Sequence, residues 1–167
     1  IIIDNSSTDN TIKILKEICL DDKKVKVIIN SKNYGHIKSP FHGILQSTGD
    51  ACLLMASDFQ DPVELIPQYI KKWQDGSKIV LGKKITSKEN SLMFNIRKTF
   101  YNFLNKISET KLTNNTTGSG IFDKSIIEKL RKINDPYPYF RGLLSELGEE
   151  INLIEFNQPK RLMGETK

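Results

Sequence analysis

Met55 to Pro62, MASDFQDP, places side chains that can bind a hard cation directly after an apolar run, Cys52 to Ala56. Oxygen ligands clustered where a buried strand ends are how an α/β fold brings a divalent cation to a phosphate at the carboxyl edge of its sheet. Asp58 is then the first ligand, and Gln60 the second through its amide carbonyl. Asp61 either joins them or caps a helix that Pro62 opens at its first turn. The plainer alternative is a strand-to-helix turn with a capping aspartate, and the segment by itself fits both.

Other chemistries find less support. His36 and His42 stand six apart with no cysteine or carboxylate at ligand spacing, so a zinc site is not expected. TGSGIF lacks the third glycine of a dinucleotide loop, and no GxxxxGK[ST] occurs, which removes dehydrogenase and P-loop readings. Cys19 and Cys52 lie in apolar periodic segments without CxxC spacing and read as reduced core residues.

The elements that must position the acidic loop follow from periodicity. Ile1 to Ile3 reads as a buried strand, and Thr8, Asp9 and Asn10 start a helix carrying Ile12, Leu15, Ile18 and Cys19. A short strand over Val25 to Ile29 leads through Asn33, Tyr34 and Gly35 into a helix around Ile37 to Ser47. After the strand at Cys52, a helix carrying Leu65, Tyr69 and Trp73 closes at Asp75-Gly76, and Ile79 to Leu81 forms a strand. Asn90 to Lys106 is the longest helix expected, Glu109 to Ser119 the most mobile loop, and helices near Ser125 to Ile133 and Phe140 to Leu147 precede a strand at Ile151 to Phe156. Alternating β and α units imply a parallel sheet.

With 167 residues, 38% hydrophobic and 27% charged, the chain suits one globular core, so residues 1–167 are expected to be a single domain. The net charge of +5 comes from scattered lysines, which suits polyanionic ligands or an anionic membrane but is too diffuse for nucleic acid. No run of about 18 apolar residues occurs, so a soluble or peripheral chain is expected. Ile1 begins inside a strand and RLMGETK stops without a cap, which reads as a domain truncated at its start and also at its end.

The motifs IIIDNSSTDNT, NYGHIKSPFHGILQSTGD, SDFQDP, a strand ending in Gly82, YFRGLLSELG and RLMGETK follow one another at ordinary distances. With them the chain resembles a family 2 glycosyltransferase of the GT-A fold over nearly its whole length, nearest the polyprenyl-phosphate, dolichol-phosphate mannosyltransferase-like branch. The resemblance implies a Rossmann-like, mostly parallel sheet flanked by helices, with the family's first strand missing before Ile1. It implies an enzyme that moves a hexose, with inversion, from a nucleotide sugar, UDP-linked by expectation, to a polyprenyl phosphate at the cytoplasmic membrane face. Mg²⁺ or Mn²⁺ is the implied cofactor, held by Asp58 and Gln60, with Asp58, Asp61 and Arg141 as catalytic residues. Asp4, Asn5, Asn33 and Gly35 would lie beside the nucleotide, and Arg141, Arg161 and Lys167 would hold the acceptor phosphate, although a solvated basic terminus and an Asx-turn at Asn33 are the plain alternatives. Membrane contact would come through segments outside this chain.

Two departures follow. Ala56 stands where the family places a further aspartate, and no aspartate in TTGSGIFD, Thr116 to Asp123, matches the family's general base; Asp123 instead suits the cap of the next helix. A phosphate acceptor is already ionised near neutral pH, so the second departure favours it. The alternatives are a saccharide acceptor and a degenerate nucleotide-binding protein, and the chain alone, with its nucleotide pocket open, is expected to be inactive or nearly so.

Overall fold

The computed structural model describes residues 1–85, 116–133, 135 and 137–159. The elements in order are β1 (Ile2–Asp4), α1 (Thr11–Asp21), β2 (Val27–Ile29), α2 (Gly35–Leu45), β3 (Ala51–Leu54), a 3₁₀ turn (Val63–Leu65) and α3 (Ile66–Gln74). They continue with β4 (Ile79–Lys84), β5 (Thr116–Asp123), α4 (Lys124–Lys132), α5 (Phe140–Glu146) and β6 (Ile151–Phe156). The helix expected over Asn90 to Lys106 lies outside the described residues.

Most boundaries fall where periodicity puts them, and the chain folds as the α/β arrangement expected. One strand departs. Thr116 to Ser119, expected to belong to a mobile loop, are the first half of β5, which is central in the four-stranded order β3-β5-β4-β6 and antiparallel to both neighbours. β4 and β6 pair in parallel, so β3, β4 and β6 share one direction and β5 alone opposes them. Gly120 explains why this run escapes a propensity reading. A Cβ there would collide with the Val80 carbonyl and meet Leu81 Cδ2 at 2.9 Å, so the close approach of β5 to β4 excludes the larger residues that usually mark a strand.

The alternation of side chains along the strands builds two cores. Ile79, Leu81 and Phe122 face α2, α4 and α5, where Ile44, Ile126, Leu130 and Leu144 are almost fully buried. Phe140 stands edge-on to Phe41 and Phe122, with ring centroids 5.8 Å and 5.2 Å away. Val80, Ile121, Ile154 and Phe156 face the opposite way onto Leu65 and Tyr69. Helices thus cover both faces of the sheet. Arg131 of α4 donates to the carbonyls of Leu45 at 2.9 Å and of Ser47, satisfying the end of α2.

β1 and β2 form a separate parallel pair. A cavity of about 340 Å³, lined by Ile1 and Ile3, by Ala51 to Leu54 and by Pro40, Gly43 and Ile44 of α2, lies between that pair and β3. α2 bridges the two sheets, and Gly43 permits it, since a Cβ there would run into the Ile3 side chain.

Candidate functional site

The carboxyl ends of β3 and β4 and the amino-terminal half of β5 open into one cavity of about 450 Å³. Its wall brings together Asp58, Gln60 and Asp61 from the acidic loop, Thr116 to Ser119 from β5, Lys84 from β4, Arg141 from α5, and His36 at the start of α2. This is the sheet edge at which parallel α/β folds bind ligands.

The acidic loop is fixed by its own side chains. Asp58 Oδ1 accepts the Gln60 N–H at 3.1 Å, and Phe59 between them adopts φ +59°, a left-handed conformation that a bulky aromatic residue takes only when its surroundings hold it there. Asp61 is buried, and its Oδ2 accepts the Ala56 N–H at 3.3 Å and the Ser119 hydroxyl. The capping role expected of Asp61 does not hold. It caps no helix, because the turn that follows has no side-chain cap, and it ties the loop after β3 to β5. Burial, reinforced by the Asp61 charge, pushes the Tyr69 hydroxyl up to about 12.

The donors available to a cation are hard oxygens, and among the described residues no three acidic, histidine or cysteine side chains converge. That set fits a magnesium-like ion, which takes one or two carboxylates and completes its shell with water and phosphate oxygens.

Asp4, Asn5, Asn33 and Gly35 come together as the sequence implies, with roles the motif does not specify. Asp4 is buried at the end of β1, and its Oδ2 accepts the Ser7 N–H at 3.0 Å. Asn5, read from sequence as a base-facing amide, donates to Asn33 Oδ1 at 2.8 Å and to the Gly35 carbonyl at 3.4 Å. Its Oδ1 accepts from Asn30 Nδ2 at 3.1 Å and the Tyr34 N–H at 2.9 Å. An amide has two N–H donors and two acceptor lone pairs, so these four bonds fill it. Asn33 makes the Asx-turn, accepting the Gly35 N–H at 2.8 Å. The network shapes the loop that leads into the amino end of α2, where unpaired N–H groups favour anions.

Arg141 donates to the Thr116 carbonyl at 3.2 Å, which holds its guanidinium on the pocket wall. Arg161 and Lys167 lie outside the described residues. Asp123 is at the far end of β5, paired with Ala51, where it caps α4 through Ser125 N–H at 2.8 Å and accepts Trp73 Nε1–H at 2.9 Å. Burial raises its carboxyl, and the bonds from Ser125 and Trp73 outweigh that and lower it. Among the described residues the pocket's carboxylates are therefore Asp58 and Asp61.

Sequence reasoning missed Asn30, Lys84 and Ser119. A lysine or serine at a strand end gives no periodic signal, and the Ser119–Asp61 bond joins residues 58 apart.

Residues 1–131 match the family model described as "Glycosyl transferase family 2". Across the whole chain, 30% of residues are identical to a "Prophage bactoprenol glucosyl transferase homolog" of Escherichia coli strain K12, covering 55% of that relative. A "Bactoprenol glucosyl transferase" of Shigella phage SfX is 29% identical over the same span, also with 55% of its length covered. An "Uncharacterized glycosyltransferase YkcC" of Bacillus subtilis is 30% identical over 99% of the chain and 51% of its own length. The chain spans about half the length of these curated relatives.

Proposed function

The chain belongs to glycosyl transferase family 2, and on that premise we propose that it is the catalytic domain of an inverting hexosyltransferase, with a UDP-linked donor and a polyprenyl phosphate acceptor. The observation that carries this reading is the pocket itself: hard oxygen donors on one wall and Arg141 and Lys84 on the others, at the sheet edge suited to phosphates. Relatives named as bactoprenol glucosyl transferases along the entire chain support the acceptor class.

In this reading Asp58 and Gln60 hold Mg²⁺ or Mn²⁺, which when bound supplies a Lewis acid for the charge developing on the leaving diphosphate. Asp4 and the loop shaped by Asn5 and Asn33 receive the nucleoside. Arg141, held by Thr116, orients the acceptor phosphate, with Arg161 and Lys167 as further candidates. Phosphomonoesters ionise with a second pKa near 6, so the acceptor oxygen needs no strong base. β5 turns hydroxyls and glycine to the pocket, and the Oδ2 of Asp61 is occupied, both consistent with that acceptor. We place the reaction at the cytoplasmic membrane face, in a protein of which residues 1–167 form one domain.

Calorimetric titration of UDP and GDP, with and without Mn²⁺, into the full-length protein tests the site. Metal-dependent UDP binding that weakens at least about tenfold in Asp58→Ala is expected. Failure of both nucleotides to bind would sink the reading and favour a degenerate site.

A further inference from the structure

A glycine inside a strand is costly, because it orders a flexible backbone and packs nothing. At every other described glycine the fold supplies a reason: either a left-handed φ, as at Gly35, or a neighbour that would crowd a side chain, as at Gly120. Gly118 has neither. Its φ lies outside the left-handed region, and a Cβ there would meet nothing within 4 Å. Yet it stands in β5, exposed beside buried Ser119 and Gly120, and it lines the pocket.

A bulge puts it there. Leu81 of β4 pairs with Gly120 and Lys83 with Thr116, so three residues of β5, Thr117 to Ser119, stand opposite Gly82 alone. The hydroxyls on either side are committed to the protein: Thr117 Oγ1 donates to the Gly82 carbonyl at 3.3 Å, and buried Ser119 donates to Asp61. Gly82 has its own steric reason, since a Cβ there would come within 2.6 Å of the Tyr69 hydroxyl and 2.8 Å of Thr117 Oγ1. The bulge therefore aims Thr117 and Ser119 at their neighbours and leaves the bare peptide at Gly118 to the cavity.

A strand glycine with open space before it marks a place where a ligand comes close to the backbone. What a bare peptide offers is an N–H and a C=O. Sugar hydroxyls both donate and accept and can answer either group, whereas ionised phosphate oxygens only accept. Tyr139 and Phe140 line the same cavity and supply apolar surface for the carbon face of a ring, while Asp58 and Gln60 serve the diphosphate side. We propose that Gly118 is a specificity-determining residue for the donor's hexose: the reacting sugar lies against the β5 backbone at Gly118, in the volume that any other side chain would fill. This inference rests on the nucleotide-sugar reading and adds to it where the sugar sits and which residue limits its size.

The experiment is calorimetric titration of UDP and of UDP-glucose, each with Mn²⁺, into the full-length protein and its Gly118→Ala and Gly118→Val variants. UDP carries no sugar and should bind all three with affinities within about twofold. UDP-glucose should bind Gly118→Val about tenfold or more weakly, the scale of an overpacked contact, with Gly118→Ala between it and the parent. Gly118→Ala should unfold no earlier than the parent, because the site has room and the substitution removes freedom from the unfolded chain. Gly120→Ala, where the fold itself needs the glycine, should unfold earlier. Equal losses for UDP and UDP-glucose, an unchanged UDP-glucose affinity in Gly118→Val, or a lowered unfolding midpoint in Gly118→Ala would each overturn the inference and leave the donor site standing. A parent that binds UDP but not UDP-glucose would overturn it as well. A parent that binds neither would sink the donor reading, and the sugar position with it.

Discussion

The four-stranded sheet and the β1–β2 pair use different means to hold their shape. In the first, Ile79, Val80, Phe122, Ile126, Leu130 and Leu144 are wholly buried, and helices cover both faces. In the second, Ile2 and Ile29 are exposed, α1 contributes only Leu15 to the interior, and a chain of asparagine hydrogen bonds does the positioning. Burial of apolar area is strong and indifferent to direction, whereas hydrogen bonds contribute less and fix geometry. The two sides of the candidate site therefore rest on unequal supports: Asp58 and Asp61 on a deep core, Asp4 and Asn5 on a shallow one.

Core truncation tests that contrast with the largest effect. Leu130→Ala should cost about 2–5 kcal/mol, measured by denaturant unfolding, because it empties fully buried volume. Ile29→Ala, half-exposed on β2, should cost under about 1 kcal/mol. Equal costs would break the comparison. Gly120→Ala should follow at about 1–3 kcal/mol, since the new methyl meets the Val80 backbone and that backbone cannot swing aside as a side chain would. Asn5→Ala strands the Tyr34 N–H and one N–H of Asn30, whose amide keeps its bond to Ser39 Oγ, at about 1 kcal/mol, in a surface loop that water partly reaches. Its signature should be local: amide exchange quickens over the loop 30–35 and UDP binds more weakly, while the unfolding midpoint of the four-stranded half barely moves. A global loss of stability would show that the two halves unfold as one.

The same division explains what the sequence makes legible. The β–α units with helical stripes, such as the segment carrying Leu65, Tyr69 and Trp73, could be read because local periodicity encodes which face is buried. The acidic loop was visible because oxygen-bearing residues stand together at a strand end. β5 was hidden, since Thr-Thr-Gly-Ser-Gly scores as a loop until β4 lies close enough to demand glycine. Asn5 was recognised as belonging to the site, but its bonds reach residues 25 to 30 positions away. No local pattern reveals whether an amide is spent on its own protein or left for a ligand. Ala56 shows the same limit, because only the fold reveals that its N–H is held by Asp61.

The smallest effect probes the junction of the deep core with the acidic loop. Tyr69 lies in the buried cluster beneath β4 and near Asp61, and burial followed by that negative charge raises its hydroxyl to about 12 from an ordinary 10. A raised folded-state pKa means that the native state retains its proton where the unfolded chain has released it. The contribution is therefore fully present below about pH 10 and is lost as pH rises from there towards 12. Other tyrosines and the lysines titrate in the same window, so the measurement is a difference. The parent should lose stability between about pH 9 and about pH 11 by on the order of 1 kcal/mol more than Tyr69→Phe, which has no proton to release. If Asp61→Asn abolishes much of that excess, the charge of the acidic loop is felt inside the four-stranded core, and the half of the site that carries Asp58 is electrostatically as well as sterically bound to it. Parallel pH profiles for the parent and Tyr69→Phe would show instead that solvent reaches the hydroxyl and that the loop rests on the core without being coupled to it.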